Sequence, residues 1–258
     1  MHPRDRLERS QWDFFWIPDD AEVLDTPELG AVRCPRPIPH LNMVTRTRVK
    51  DADVTSAVER AGGWLGATNA RWFVPDTFDR AALMDALDHA GWARAGEYEA
   101  RVLPTSASLG DASSDLEVRR VDSIDALRAC RDVMHRAFGR ELRSTDEEDR
   151  AELAQCADPG GRVHRFVVHH RGEPICSGGF NVFVELGFAF LWAGGTVPEA
   201  RGRGAYRALL RARLEAARDL GVEWAGLYAK TDTSAPIVAS LGFEHVGAMT
   251  IFSRGETG

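Results

Sequence analysis

The chain is 258 residues long, enough for one large domain or two of ordinary size. With 44% hydrophobic and 28% charged residues it can build a sizeable core, which excludes disorder as the default state. Asp and Glu number 39 against 32 Lys and Arg, and the net charge of −7 excludes a long-range pull towards nucleic acid or anionic lipid; any macromolecule it acts on is expected to be basic or neutral.

In the N-terminal half, Asn42 to Val49 reads as a strand, Asp51 to Ala61 as a helix, Ala70 to Val74 as a strand, Phe78 to Ala90 as a helix and Ala95 to Leu103 as a strand. The stretch from Pro104 to Asp115 is small, polar and without hydrophobic period, as a linker is. It predicts an N-terminal domain over 1–104, a linker over 105–115 and a second domain over 116–258.

Beyond the linker, Leu116 to Val121 alternates as a strand, and Ser123 can cap a helix that carries Ile124, Leu127, Cys130, Val133, Met134 and Ala137 at three- and four-residue spacing. A second helix is predicted from Thr145 to Cys156. Val163 to His170 and Pro174 to Val184 are apolar runs joined by Arg171-Gly172-Glu173, a hairpin signature. A third run, Phe188 to Val197, leads into a glycine-rich turn. Then come a long helix from Ala205 to Leu220 stopped by Gly221, a strand from Trp224 to Lys230, a short helix from Ser234 to Leu241 and a strand from His245 to Ser253. The N-terminal half is a reduced version of this order, and Gly91-Trp92 to Gly96 matches Gly242-Phe243 to Gly247 at a constant offset, the trace a diverged duplication leaves.

Cys34, Cys130, Cys156 and Cys176 lie far apart, with no CxxC pair and no histidine at zinc-ligand spacing, so they read as reduced, mostly buried thiols and no metal is expected. Arg4, Asp5, Arg6, Glu8 and Arg9 stand where a signal peptide needs an apolar core, and no apolar run approaches membrane-spanning length. A cytoplasmic location without membrane contact is the expectation.

The turn Arg201-Gly202-Arg203-Gly204-Ala205-Tyr206 has the chemistry of an anion site. Glycines let backbone N–H groups turn towards an oxyanion, and a helix N-terminus adds unpaired donors and about half a positive charge. Arg201, Arg203 and Arg207 add full charges suited to a pyrophosphate; the alternative is a surface turn with solvated arginines. A P-loop would need Gly-Lys-Ser/Thr where Gly204-Ala205-Tyr206 stands, and a dinucleotide fingerprint would need Gly or Ala where Arg207 stands.

On these residues the sequence resembles the GNAT superfamily of acetyltransferases, whose signature Arg/Gln-x-x-Gly-x-Gly/Ala opens the central helix. Arg201 and Gly204 match it, as does the flanking Pro198-Glu199-x-Arg201-Gly202; Tyr206 departs from the small residue and would set a ring near the loop. The resemblance implies a GNAT fold over residues 116–253, a mixed and mostly antiparallel α/β sheet flanked by helices, in tandem with a reduced GNAT-like N-terminal half. It implies acetyl-CoA as co-substrate, its pyrophosphate on Arg201, Gly202, Arg203, Gly204, Ala205 and Tyr206. Its pantetheine arm would lie along the strand edge at Gly194, Gly195, Thr196 and Val197, although Gly194-Gly195 reads equally as a β-bulge.

The usual tyrosine acid of such enzymes aligns with Val238, which cannot serve. Tyr206 is a candidate acid, read alternatively as a packing residue at the helix start, and Ser234 or Thr233 is placed to hydrogen-bond near the thioester, read alternatively as a helix cap. Glu185 is the first candidate base, read alternatively as a solvated hairpin carboxylate. His169 and His170 are surface histidines or bases, and the run from Asp146 to Asp149 is a solvated face or an acidic rim for a cationic amine. The N-terminal counterpart of the loop, Lys50-Asp51-Ala52, has neither glycine nor an arginine pair, so only the C-terminal half is expected to bind CoA. His40, Asn42, Trp64, Trp72 and Trp92 read as core residues or as a lining of the acceptor cleft. The expected activity is acetyl transfer to a primary amine of a small molecule or peptide, by direct attack, in a monomer or homodimer; the alternatives are a CoA-binding sensor or scaffold without turnover and, more weakly, a nucleotide-binding protein.

Overall fold

The computed structural model describes residues 1–12, 17, 19–36, 41–66, 68–76, 80–111, 113–139 and 144–255. In chain order it forms α1 (Pro3–Arg9), β1 (Glu22–Asp25), β2 (Leu29–Arg33), β3 (Met43–Thr47), α2 (Val54–Leu65), β4 (Ala70–Pro75), α3 (Ala81–His89) and β5 (Ala93–Pro104). These are followed by β6 (Leu116–Arg120), α4 (Ile124–Phe138), α5 (Asp146–Ala157), β7 (Val163–His170), β8 (Glu173–Phe183) and β9 (Phe188–Thr196). Last come α6 (Ala205–Asp219), β10 (Trp224–Lys230), α7 (Ser234–Ser240) and β11 (Glu244–Arg254). Every element predicted from the sequence is present, most within two residues at each end; α2 runs on to Leu65, and α3 begins at Ala81 with Arg80 as its N-cap, while Phe78, the expected start, lies outside the described residues. Three elements the sequence reading left out, α1, β1 and β2, precede them.

The chain divides into two compact units. One comprises Val102–Leu227 and Leu241–Phe243; the other comprises His2–Arg101, Tyr228–Ser240 and Glu244–Gly258. This differs from the expected division at a linker over 105–115, and the reason is strand pairing. The C-terminal strand β11 lies antiparallel on β4, from Met249 opposite Pro75 to Arg254 opposite Ala70, so the end of the chain belongs with its beginning. A polar stretch between two patterned halves marks a connection, and it carries no information about which strands pair across it.

The unit built around the N-terminal half orders its strands β1-β2-β3-β4-β11-β5. Its core is a stripe of α2, Val54, Ala57, Val58, Ala61 and Leu65, set against Trp72, Val74 and Phe252 of the sheet. The stripe recurs at three and four residues because one helical face must be apolar. Trp72 and Trp92 meet edge to face with ring centres 5.5 Å apart, and the Trp72 indole N–H donates to Thr47 Oγ1 at 2.9 Å. Both tryptophans are core residues. Asn42 is committed too, its Oδ1 accepting from the Cys34 amide and its Nδ2 donating to the Arg36 carbonyl, while the Trp64 ring lies under the Arg33 guanidinium. His40 lies outside the described residues.

The other unit orders its strands β10-β9-β8-β7-β6, with β6 to β9 antiparallel and β10 parallel to β9. Ser123 caps α4 by accepting from the Ala126 amide, and Gly139 closes it at φ 68°. Thr145 and Glu148 form a capping box at the start of α5. Helices α4 and α6 cover opposite faces of the sheet: a side chain at Gly195 would meet Ala137 and Phe138 of α4, whereas one at Gly194 would meet Tyr206 and Arg213 of α6.

Candidate functional site

The site is assembled where β9 ends and α6 begins. After Thr196 the chain turns through a 3₁₀ turn, Pro198–Ala200, whose Ala200 is buried, and then exposes Arg201, Gly202, Arg203 and Gly204 in succession. Gly202 and Gly204 both stand at φ 79°, a backbone region that L side chains rarely adopt. A Cβ added at either would meet nothing within 4 Å. Glycine is therefore required by the backbone path, and the space beside the loop is open for a ligand.

Gly204 is the N-cap of α6, and no side chain bonds to the helix start. The first-turn amides thus face outwards together with the positive end of the dipole. Arg203 and Arg207 are exposed on this turn, and the Arg201 Nε folds back to the Thr196 carbonyl at 3.4 Å. Arg136, from the last turn of α4, holds the loop's approach by pairing with Glu199, Glu173 and Asp132. Its guanidinium keeps the exposed Glu199 carboxyl below its ordinary value.

The strand that enters the loop is irregular in a useful way. Pairing between β9 and β10 covers Phe188, Ala189 and Phe190, and beyond Phe190 no β10 partner is present among the described residues. The β10-facing edge of β9 from Leu191 onwards is thus available to an added strand or a strand-like ligand. On its other edge, β9 slips register against β8 between Ser177–Gly195 and Gly179–Trp192, and Ala193 takes φ 51°. The reading of Gly194-Gly195 as a β-bulge is what is observed, and it occurs beside the loop. The expected edge shortens by one residue, because the Val197 amide donates to the Ile175 carbonyl at 2.9 Å and its side chain is buried.

Tyr206 does not crowd the loop as expected. Its ring turns inwards against Gly194, where a Cβ would come within 2.8 Å of it, and Ala205 beside it is buried. Burial raises the Tyr206 hydroxyl above its ordinary value, with Arg213 opposing the rise. The loop glycines, Arg201, Arg203 and the Tyr206 backbone are therefore brought together, with the tyrosine ring beneath them.

The remaining candidates lie elsewhere. Glu185 sits in the turn between β8 and β9, its exposed carboxylate 3.3 Å from Arg162. That turn is at the opposite end of β9 from the loop, about 26 Å away at ~3.3 Å per residue. As a base for chemistry at the bulge Glu185 is misplaced, because it was matched to a strand's mouth without knowing which mouth faces the loop. Ser234 belongs to the other unit, and its Oγ accepts from the Lys230 amide at 2.8 Å, tying down the turn into α7. Val238, aligned with the usual acid, is fully buried. His170 Nε2 lies 3.0 Å from Asp115, and burial lowers the pKa of His169. Of the acidic run, Asp149 is buried among Ser144, Arg128 and Arg131, while Asp146 is exposed beside Arg128. The run joins α4 to α5 as much as it faces water.

All four cysteines are unpaired and buried, and burial pushes the Cys176 thiol up to about 11. A thiol with so little thiolate at neutral pH is a poor nucleophile. Among the described residues no helix is long and apolar enough to cross a membrane.

The residue that sequence reasoning missed is Arg213, buried in α6 beneath the bulge. It reads in sequence as one more arginine of a basic helix, and only its place on the α6 face that packs on the sheet could have singled it out.

No protein-family model matches the chain, and no curated protein matches it. Solved structures do. A GCN5-related N-acetyltransferase from Kribbella flavida superposes with a TM-score of 0.69 at 14% identity, over 92% of this chain and 90% of that one. A GCN5-related N-acetyltransferase from Sphaerobacter thermophilus gives 0.63 at 14% identity, over 91% and 75%. A tandem GNAT protein from the clavulanic acid biosynthesis pathway gives 0.61 at 15% identity, over 93% and 84%. Likeness at this identity and over nearly the whole length fixes the architecture: the chain has the GNAT fold, a mixed and mostly antiparallel sheet flanked by helices.

Proposed function

We propose that the protein is an acetyl-CoA-dependent N-acetyltransferase that acts on a primary amine of a small molecule or peptide. The observation that carries this reading is the juxtaposition of an exposed, positively charged glycine loop at the start of α6 with the unpaired β9 edge beyond Phe190. The loop suits a pyrophosphate and the edge suits an amide-bearing arm, which are the two polar stretches of CoA. The residues assigned to the co-substrate are Gly195 and Thr196 on the edge and Arg201, Gly202, Arg203, Gly204, Ala205 and the Tyr206 backbone on the loop. Structures of the same fold that are described as N-acetyltransferases support the assignment.

The amine nitrogen adds to the thioester carbonyl, the intermediate collapses and the C–S bond breaks, leaving an amide and a thiol. The burial of Cys156 and Cys176, which raises both thiols above their ordinary value, favours this direct attack over an acyl-enzyme. The half around β3, α2 and β4 is a diverged copy that does not bind CoA, and the protein works as a cytoplasmic monomer or homodimer.

A second reading is a CoA-binding sensor without turnover. It is favoured by Glu185 at the far end of β9, by the Ser234 hydroxyl committed to Lys230 and by the buried Val238. The test is thiol release from acetyl-CoA across polyamines, aminoglycosides, amino acids and peptide N-termini, beside calorimetric binding of CoA. Binding with amine-dependent thiol release supports the transferase, binding without release on any amine supports the sensor, and no binding rejects both.

A further inference from the structure

Arg213 is 1% exposed, and a guanidinium cannot shed its proton to suit its surroundings. Its Nη1 donates to the Gly179 carbonyl at 3.1 Å and approaches the Trp192 carbonyl at 3.5 Å, and the one side chain that meets the guanidinium is the neutral Tyr206 hydroxyl. The ionisable groups that act on it are Tyr206 and Cys176, and burial keeps both protonated. Among the described residues no carboxylate answers this charge. The half-buried arginines of the same unit are treated differently: Arg131 pairs with Asp149 and Glu152, and Arg165 pairs with Glu152. A buried cation without a counter-ion is among the costliest features a fold can hold, so its presence calls for an anion that arrives from outside.

The sheet is shaped to receive this charge. A Cβ at Gly178 would lie 3.2 Å from Nη1 and 2.9 Å from the Gly194 Cα, and a Cβ at Gly194 would lie 3.2 Å from Nη2. Two glycines thus strip the face of β8 and β9 so that the guanidinium rests on the backbone itself. It rests there at the bulge, where Ala193 takes φ 51° and the register changes. The Trp192 carbonyl that Nη1 approaches shares its peptide with the Ala193 N–H, so polarising one strengthens the other as a donor.

We propose that Arg213 is a positioning residue for acyl transfer, its unpaired buried charge acting through the Trp192–Gly195 bulge to favour the negative charge that gathers on a thioester oxygen when an amine attacks. The proposal rests on the acyltransferase reading above. In the step it assists, the amine lone pair forms the C–N bond, the carbonyl π pair moves to oxygen and returns to expel the thiolate. The amine's surplus proton ends on the thiol or in water. A fixed charge that is already desolvated needs no reorganisation as the oxyanion forms, which is why such groups accelerate reactions.

The experiment is infrared difference spectroscopy of acetyl-CoA, carbonyl-labelled with ¹³C, bound to the full chain, with kinetics on the best amine of the screen. In the wild-type protein the bound carbonyl stretch should fall below its value in water. Arg213→Gln should return at least half of that shift and lower kcat about tenfold, with the KM for acetyl-CoA within about twofold. Arg213→Lys, which restores the charge, should recover most of both. An unshifted carbonyl in the wild-type protein overturns the proposal without any variant, so it survives as a test even if Arg213→Gln does not fold. A stretch and a kcat that are the same in wild type and Arg213→Gln also overturn it, while leaving the acyltransferase reading intact. Absence of saturable acetyl-CoA binding overturns both.

Discussion

In one unit β9 runs into Arg201–Gly204 and α6, and β10 then pairs parallel to β9; in the other, β3 runs into a 3₁₀ turn, Asp51–Asp53, and α2, and β4 then pairs parallel to β3. The two are the same strand–helix–strand crossover with opposite chemistry at the helix start. Before α6 stand two glycines at φ 79° and two arginines, with the helix amides uncapped. Before α2 stand Asp51 and Asp53, whose carboxylates already answer the helix dipole and would repel a phosphate. The parallel continues downstream, where Gly91 at φ 79° leads from α3 into β5 and Gly242 at φ 89° leads from α7 into β11. The crossover is a packing solution that tolerates either chemistry. What makes one crossover a candidate site is an exposed turn of two glycines and two arginines.

The comparison can be broken most forcefully in the crossover without the loop. If β3–α2–β4 is scaffold, its value lies in its core, and Trp72→Ala should cost about 3–5 kcal/mol in denaturant unfolding. A cost below about 1 kcal/mol would mean that Trp72 is not the centre of that core. Next in size is the ligand effect. Acetyl-CoA at a hundredfold excess over Kd should stabilise the protein by about 2.7 kcal/mol, and Gly204→Glu or Arg201→Glu should abolish this, whereas Ala52→Glu at the other crossover should leave it intact. If thermal shifts disappear with Ala52→Glu and survive Gly204→Glu, the two crossovers have been assigned the wrong way round.

Acid should also distinguish the units. His164, buried in β7, stacks on Phe180 and bonds to the Gly161 carbonyl at 2.7 Å, and burial lowers its pKa to about 4. A folded pKa below the unfolded value of about 6.5 means that the unfolded chain takes up the proton first. Stability is therefore complete above pH 6.5 and declines towards pH 4, by about 3 kcal/mol in order of magnitude. Asp149 adds a second loss at lower pH, since Ser144 and Arg131 hold its carboxyl below the ordinary value against the effect of burial. His164→Gln should flatten the stability profile between pH 6.5 and 4 in urea titrations. An unchanged slope would show that another group carries the titration.

Much of the architecture was legible because hydrophobic period and capping residues are local: Ser123 before α4 and Gly221 after α6 each mark an element's end without reference to the rest of the chain. The exposed glycine turn before α6 was legible for the same reason, being one continuous stretch. The division into units was not, because it depends on β11 pairing with β4 about 180 residues earlier, which period-two alternation cannot announce. Glu185 was misplaced by the same gap between local and global, since a strand has two ends and its pattern does not say which one meets the loop. Arg213 was invisible because an arginine on a helix is ordinarily solvated, and only the glycines on the facing strands reveal that this one is not.

The smallest effect expected is also the most local. At Gly204 an added Cβ meets no atom within 4 Å, so Gly204→Ala introduces no clash, yet φ 79° remains unfavourable for any residue with a Cβ. The cost should be about 1 kcal/mol, partly offset because alanine also restricts the unfolded chain. Ala52→Gly at the other crossover changes the same two residue types in the opposite sense, and it should cost a few tenths to 1 kcal/mol purely through chain entropy. The two can be separated by acetyl-CoA. Gly204→Ala should lower both the melting temperature and the affinity, because the alanine resists the conformation that presents the amides, whereas Ala52→Gly should lower the melting temperature alone. If Gly204→Ala melts and binds as the wild type does, the left-handed turn is not what organises the loop, and the contrast between the crossovers would rest on charge alone.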